Sequence, residues 1–220
     1  MLTIELINNN IPRLKLKDSA SKALQLINDF KVTHLPVVEG GKFLGLISED
    51  DLLDLKDTKM PIELMEEFFI QAAVHDNEHF LKAVDSSNQF DSTVVPVVND
   101  ENVLLGVITT NDLLKAIGNF AGANEIGGII VLEMERNQFA ISEISRIIES
   151  NDATILHLNI TIHSETGMLT VTLHINKKEI STIVATFERY EFDVIHYFGN
   201  ENFENDIHKN YRHLMNYLHI

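Results

Sequence analysis

Cysteine is absent from the 220 residues, so the chain has no disulfide framework, no thiol nucleophile and no thiolate metal site. Proline (4) and glycine (10) are scarce, which excludes collagen-like and linker-like composition. Basic residues are also few. Lys and Arg number 17 against 33 Asp and Glu, a formal charge of −16 with His neutral. A field of that sign repels phosphate backbones and anionic lipid, so neither nucleic acid nor membrane is an expected partner. No apolar run approaches the ~20 residues of a membrane span. The first ten residues carry Glu5 and no Lys or Arg, unlike the basic start of a signal peptide, and a cytoplasmic location is the expectation. What is present is ordinary for a folded protein: 45% hydrophobic and 23% charged residues, in a length that suits one large domain or two to three small ones.

The chain repeats itself. His34-Leu35-Pro36-Val37-Val38 returns as Val94-Val95-Pro96-Val97-Val98, an offset of 60, and Ala23 and Phe30 map onto Ala83 and Phe90 at the same offset. Gly45-Leu46-Ile47-Ser48-Glu49-Asp50-Asp51-Leu52-Leu53 returns as Gly106-Val107-Ile108-Thr109-Thr110-Asn111-Asp112-Leu113-Leu114, offset by 61. The extra residue falls in a polar turn, where a duplication tolerates an insertion. Within the first copy, Ala20, Ala23, Leu24 and Ile27 keep the spacing of one helical face, and Asp18 and Ser19 are suited to cap it. Two short apolar strands, 35–38 and 43–48, flank Gly40-Gly41, a hairpin signal. A second helix is expected from Glu49, its three leading carboxylates favouring the positive end of the helix. Neither copy buries enough surface alone, so the two are expected to pack as a pseudo-symmetric pair.

The order strand, Pro-Val-Val, hairpin, Gly-h-Ile-(Ser/Thr)-x-x-Asp-Leu-Leu, present twice, resembles the CBS domain arranged as a Bateman pair, over about residues 10–120. In that family the cleft between the repeats takes adenosine-containing ligands such as AMP, ATP, S-adenosylmethionine or NAD. The resemblance implies that Asp51 and Asp112 hold the ribose hydroxyls, two acceptor oxygens suiting a cis-diol. It implies that Ser48 and Thr109 meet the phosphate at a helix N-terminus, and that Thr33, His34, Thr93 and Val94 wall the adenine. Many members carry Arg or Lys between the hydroxyl and the Asp. Here those positions are Glu49 and Asp50 in the first copy and Thr110 and Asn111 in the second, so the first site repels phosphate and a ligand of low charge is expected.

Residues 121–128 hold glycines 122, 127 and 128 but no phosphate-loop lysine, and read as a linker. Beyond it, Ile129–Met134 is an expected strand and 139–149 a helix with Ile141, Ile144 and Ile148 on one face. Residues 155–163 and 168–176 are period-two strands, with Leu156, Leu158, Ile160 and Ile162 on one face. A helix at 179–190 and a strand at 193–198 follow. Strand-helix-strand-strand-helix-strand is the ferredoxin-like order. After a CBS pair it resembles the ACT domain, a regulatory module that commonly binds amino acids, and the whole resembles AcuB-type CBS-ACT proteins linked to acetoin utilisation. The loop Glu135-Arg136-Asn137-Gln138 lacks the glycine of the ACT pattern. His157 and His174 are expected opposite each other on the polar face of the hairpin. Phe203, Ile207, Tyr211, Leu214 and Leu218 form one stripe of an expected amphipathic helix at 201–220.

The expected architecture is therefore α+β: CBS repeats over 1–58 and 59–120, the linker, an ACT-like domain over 129–200 and the C-terminal helix. Gly-x-Ser-x-Gly and His-Glu-x-x-His motifs are missing, so the expected function is non-catalytic: a regulatory sensor of an AMP-like metabolite, requiring no cofactor or metal and forming a homodimer. The alternative is an amino-acid or carboxylate sensor acting through the ACT-like domain, with the CBS pair as a dimerisation scaffold. The regulated protein is not named by the sequence.

Overall fold

Each repeat opens on a strand of two residues that no periodicity announces. In the computed structural model, which describes residues 1–199, the first is β1 (Leu14–Lys15), followed by α1 (Ala20–Phe30), β2 (His34–Glu39), β3 (Lys42–Ser48) and α2 (Glu49–Leu53). The expected helix at 201–220 lies outside the described residues. Ser19 caps α1, its hydroxyl accepting from the Lys22 N–H at 3.3 Å. Gly40 and Gly41 turn the hairpin with φ of 57° and 86°, the paired left-handed conformations of a two-residue turn that suits strand twist. The second repeat repeats this order with β4 (Val74–His75), α3 (Leu81–Gln89), β5 (Val94–Val98), β6 (Leu104–Thr109) and α4 (Thr110–Phe120). In each sheet the short strand runs parallel to the Pro-Val-Val strand, and the hairpin is antiparallel, with a register shift after Val37 and after Val97.

The repeats exchange segments. The chain ahead of repeat one runs along β6 of repeat two, with the Asn8 N–H donating to the Val107 carbonyl at 2.7 Å. The chain ahead of repeat two runs along β3 of repeat one, where Leu46 and Ile70 exchange two backbone bonds of 2.9 Å. Gly45 and Gly106 lie beneath these crossings. A Cβ on Gly45 would stand 2.6 Å from the Cβ of Phe69, and one on Gly106 2.3 Å from Cγ2 of Ile7, which accounts for glycine at this place in both copies. Leu35, Leu46, Ile47, Leu52, Val94 and Val107, all at most 1% exposed, lie in a core drawn from both repeats. Burial in this shared core contributes ~1.5–3 kcal/mol for each large side chain.

Residues Met1–Gly118 form one compact unit and the residues from Asn119 onward another. The second comprises β7 (Gly128–Met134), α5 (Ile141–Glu149), β8 (Ile155–Ile162), β9 (Leu169–Ile175), α6 (Ser181–Arg189) and β10 (Asp193–Phe198), in one antiparallel sheet ordered β10-β7-β9-β8. This is the ferredoxin-like arrangement. Ile130, Leu132, Leu173 and Ile175 of the sheet share a core with Ile144, Ile147, Ile148, Ile183 and Phe187 of the helices. Two sequence expectations are corrected. Ile141 opens α5 and is 50% exposed; the buried stripe begins one turn later and includes Ile147. The strand β8 is not strictly period-two: a register shift between Ile155 and His157 makes Leu156 a bulge, so it leaves the face shared by Leu158, Ile160 and Ile162. From His157 onward the expected register holds, and His157 stands opposite His174.

Candidate functional site

The two repeats meet at Thr33 and Thr93, each just ahead of its Pro-Val-Val strand. The Thr33 N–H donates to Thr93 Oγ1 at 2.8 Å, the Thr93 N–H donates to Thr33 Oγ1 at 3.2 Å, and the hydroxyls are 3.2 Å apart. This reciprocity marks a pseudo-two-fold axis between them. On either side, the carbonyl of one of these threonines receives the first N–H of its own repeat's second helix: Glu49 to Thr33 at 2.8 Å and Thr110 to Thr93 at 3.0 Å.

The hydroxyl and the Asp of each motif cap that helix together. Ser48 Oγ donates to Asp51 Oδ2 at 2.5 Å and accepts from the Asp51 N–H at 3.0 Å; Thr109 Oγ1 donates to Asp112 Oδ2 at 2.6 Å and accepts from the Asp112 N–H at 3.2 Å. Asn8, from the exchanged N-terminal segment, adds a 3.4 Å bond to the same Asp112 oxygen. Among the described residues no hydrogen bond engages Oδ1 of Asp51 or Asp112, so each carboxylate keeps one oxygen for an incoming hydroxyl.

A cavity of about 370 Å³ opens on the Asp112 side. One wall is apolar, made by Ile11, Phe30 and Val32, with Phe30 40% exposed. The other is polar, made by Asn8, Thr93, Thr109, Thr110, Asn111 and Asp112. Two cations, Lys31 and Lys115, complete the lining. The size is at the small end of the ~300–1,000 Å³ of ligand pockets. An apolar platform, a half-free carboxylate and two lysines in one lining, Lys31 with its Nζ on Asn28 Oδ1 at 3.0 Å, are chemically matched to a planar base, a sugar hydroxyl and an anion.

Residues 4–57 and 72–119 match the model of the CBS domain family. The first unit is a tandem CBS pair. A homoserine O-acetyltransferase of Methanobrevibacter ruminantium is 29% identical over 119 residues, 53% of this chain and 24% of that protein. The chain spans less than half the length of the curated relatives it first matches. A CBS domain pair/ACT domain protein of Thermotoga maritima has the same fold at a TM-score of 0.50 and 20% identity, over 55% of this chain and 98% of that one. The structure of CBSX2 in complex with AMP resembles the chain at a TM-score of 0.47 and 22% identity, over 54% of this chain and 97% of that one.

Of the residues singled out in the sequence, Thr93, Thr109 and Asp112 line the cavity of the CBS pair, and Thr33 bonds to Thr93 behind it. Ser48 and Asp51 form the equivalent cap across the axis. His34 and Val94, 7% and 0% exposed, belong to the interior and do not line the cavity; the apolar wall comes from Ile11, Phe30 and Val32 instead. Burial holds the His34 imidazole below its ordinary pKa, against the opposing pull of the Asp51, Asp50 and Asp91 carboxylates, and its Nδ1 lies 2.8 Å from the Thr33 hydroxyl. Lys31 and Lys115 were not singled out. Lys115 stands three and four residues after Asp112 and Asn111 on one helix face, a spacing that could have suggested it. Lys31 belongs to the other repeat, and only the pseudo-two-fold brings it to Asp112.

The second unit holds a larger cavity, about 630 Å³, beside the loop 135–140. Its lining carries the carboxylates of Glu133, Glu135, Glu143, Glu191 and Asp193 and no Lys or Arg. His157 and His174 are partners across β8 and β9, with the Phe120 ring edge-on to His157 at 5.8 Å. Among the described residues no group of three or more potential ligands is placed to hold a metal ion, and no helix is long and apolar enough to cross a membrane.

Proposed function

We propose that this protein is a non-catalytic regulatory sensor, whose CBS pair takes an adenosine-containing metabolite in the Asp112 cleft, and that it works as a homodimer. The observation that carries the reading is the composition of the 370 Å³ cavity: an apolar wall at Ile11, Phe30 and Val32 facing Asp112, whose Oδ2 is tied into a helix cap and whose Oδ1 is open to a ribose hydroxyl. The same carboxylate, being an acceptor already committed to a cap, is poorly suited to act as a general base, and the equivalent Asp51 is committed in the same way. That supports binding without chemistry. Sensing of an amino acid or carboxylate through the second unit has less support, because five carboxylates line its cavity and would repel the carboxylate of either ligand.

Calorimetry on the full chain with AMP, ADP, ATP, NAD and S-adenosylmethionine tests the reading. Saturable binding of at least one, lost in Asp112→Ala, is expected. No heat with any of them at millimolar concentration removes it.

A further inference from the structure

The pseudo-two-fold relates the Asp112 cavity to the surroundings of the Asp51 cap, where the corresponding residues have the opposite charge. On the Asp112 side the cavity has Lys31 and Lys115. At the offsets of 60 and 61 that relate the copies, the corresponding positions around Asp51 are Asp91 and Asp54. Thr110 and Asn111 correspond to Glu49 and Asp50. The apolar wall changes too, Ile11 and Val32 becoming Gln71 and Ser92. Glu49, Asp50 and Asp51 open α2 and Asp54 caps its end, and the first N–H of that helix is held by the Thr33 carbonyl beside the axis. From the other repeat, the Asp91 carboxylate opposes the lowering of the His34 pKa together with Asp50 and Asp51.

The motif groups that a phosphate would ordinarily meet are occupied. The Thr109 hydroxyl donates to Asp112, the Thr110 N–H is given to the Thr93 carbonyl, and the Asp112 N–H is given to Thr109. The cationic lining residues that could balance an anion are Lys115 and Lys31, whose Nζ donates to Asn28 Oδ1 at 3.0 Å and would turn from that exposed partner to a phosphate. Resting on the adenosine reading above, we infer that the chain binds one nucleoside monophosphate, in the Asp112 cleft, that Lys31 and Lys115 recognise its phosphate across the repeat boundary, and that the Asp51 cleft refuses phosphorylated ligands. The cavity volume suits a mononucleotide. Like charges around Asp51 would oppose a phosphate, as unlike charges around Asp112 favour it.

The test compares AMP with adenosine on the full chain by calorimetry at low salt. AMP is expected to bind at one per chain and about tenfold or more tighter than adenosine. Lys31→Ala and Lys115→Ala should each weaken AMP about fivefold, the upper end of exposed ion pairs, while moving adenosine by less than about twofold; adenosine thus reports that the cleft is still folded. Asp54→Ala and Asp91→Ala should leave AMP within about twofold. Equal affinity for AMP and adenosine, two AMP per chain, or insensitivity of AMP to both lysine variants each overturns the inference and leaves the adenosine reading standing. Binding of neither compound overturns the inference as well, and the failure of the wider ligand series then removes the reading beneath it.

Discussion

Asp112 and Asp51 make the same cap with the same geometry, so their substitution isolates the effect of their neighbours. Removing a carboxylate that accepts a ribose hydroxyl costs ~1.5–3 kcal/mol, about ten- to a hundredfold in affinity. Asp112→Ala is expected to weaken AMP by that factor, and Asp51→Ala by less than about threefold. The contrast should narrow in 0.5 M salt, which screens exposed charges. Titrating both variants with AMP at low and high salt checks this; a larger loss in Asp51→Ala reverses the assignment of the cleft. His34 makes a separate prediction. Its imidazole is buried and held below the ordinary pKa of 6.5, so the unfolded chain binds a proton near pH 6 that the folded chain does not. Stability therefore rises with pH across that window and is lost as pH falls below ~6.5 toward the folded pKa. Denaturant melts at pH 7.5 and 5.5 should show a smaller drop for His34→Gln than for the native chain. An equal drop would place the acid sensitivity elsewhere.

At the scale of elements, the glycines beneath the exchanged segments are the point of least tolerance. A methyl on Gly45 would meet the Cβ of Phe69, an atom fixed to the backbone, so the segment ahead of β4 must move if the methyl is to fit. Gly45→Ala should destabilise the CBS pair by ~1–3 kcal/mol, the ordinary cost of overpacking, read as a lower midpoint in thermal melts; an unchanged midpoint would mean that the crossing is loose. These exchanges show why the sequence reveals some elements and not others. The strands β2, β3, β5 and β6 announce themselves through Pro-Val-Val and a turn signal, and the helix faces through period, because each is decided by residues adjacent in the chain. The strands β1 and β4 are two residues long and have no period to read. The bulge at Leu156 is a backbone irregularity inside an apolar alternation that would read the same without it. The cleft was half legible for the same reason. Thr109 and Asp112 stand in one motif and could be found together, whereas Lys31 and Phe30 reach the cleft only through a symmetry between copies, which local pattern does not carry.

For the whole molecule, the exposed edge of the second sheet bears on assembly. The strand β8 is eight residues long, Ile155 to Ile162, and contains no Lys, Pro, Gly or acidic residue, the usual protections of an edge. Leu158, Ile160 and Ile162 share the face against which the helices pack, yet Ile160 is 39% and Ile162 55% exposed, so the helical layer stops short of this edge. Among the described residues no strand pairs with this edge of β8, and such a backbone row beside exposed isoleucines is a template for another strand, which a two-fold pairing lets both copies share. Antiparallel pairing of β8 with β8 of a second copy is the arrangement expected of the proposed homodimer, giving one sheet of eight strands. Ile160→Lys combined with Ile162→Lys places two charges where that sheet would close, at positions exposed enough in a single chain for the lysines to reach water. Light scattering should give twice the 24.9 kDa of one chain for the native protein and the single mass for the variant, with the circular dichroism unchanged. If the native chain is already a monomer at micromolar concentration, the proposal of a homodimer fails. If the double variant remains a dimer, the subunits meet through another surface and β8 is a free edge.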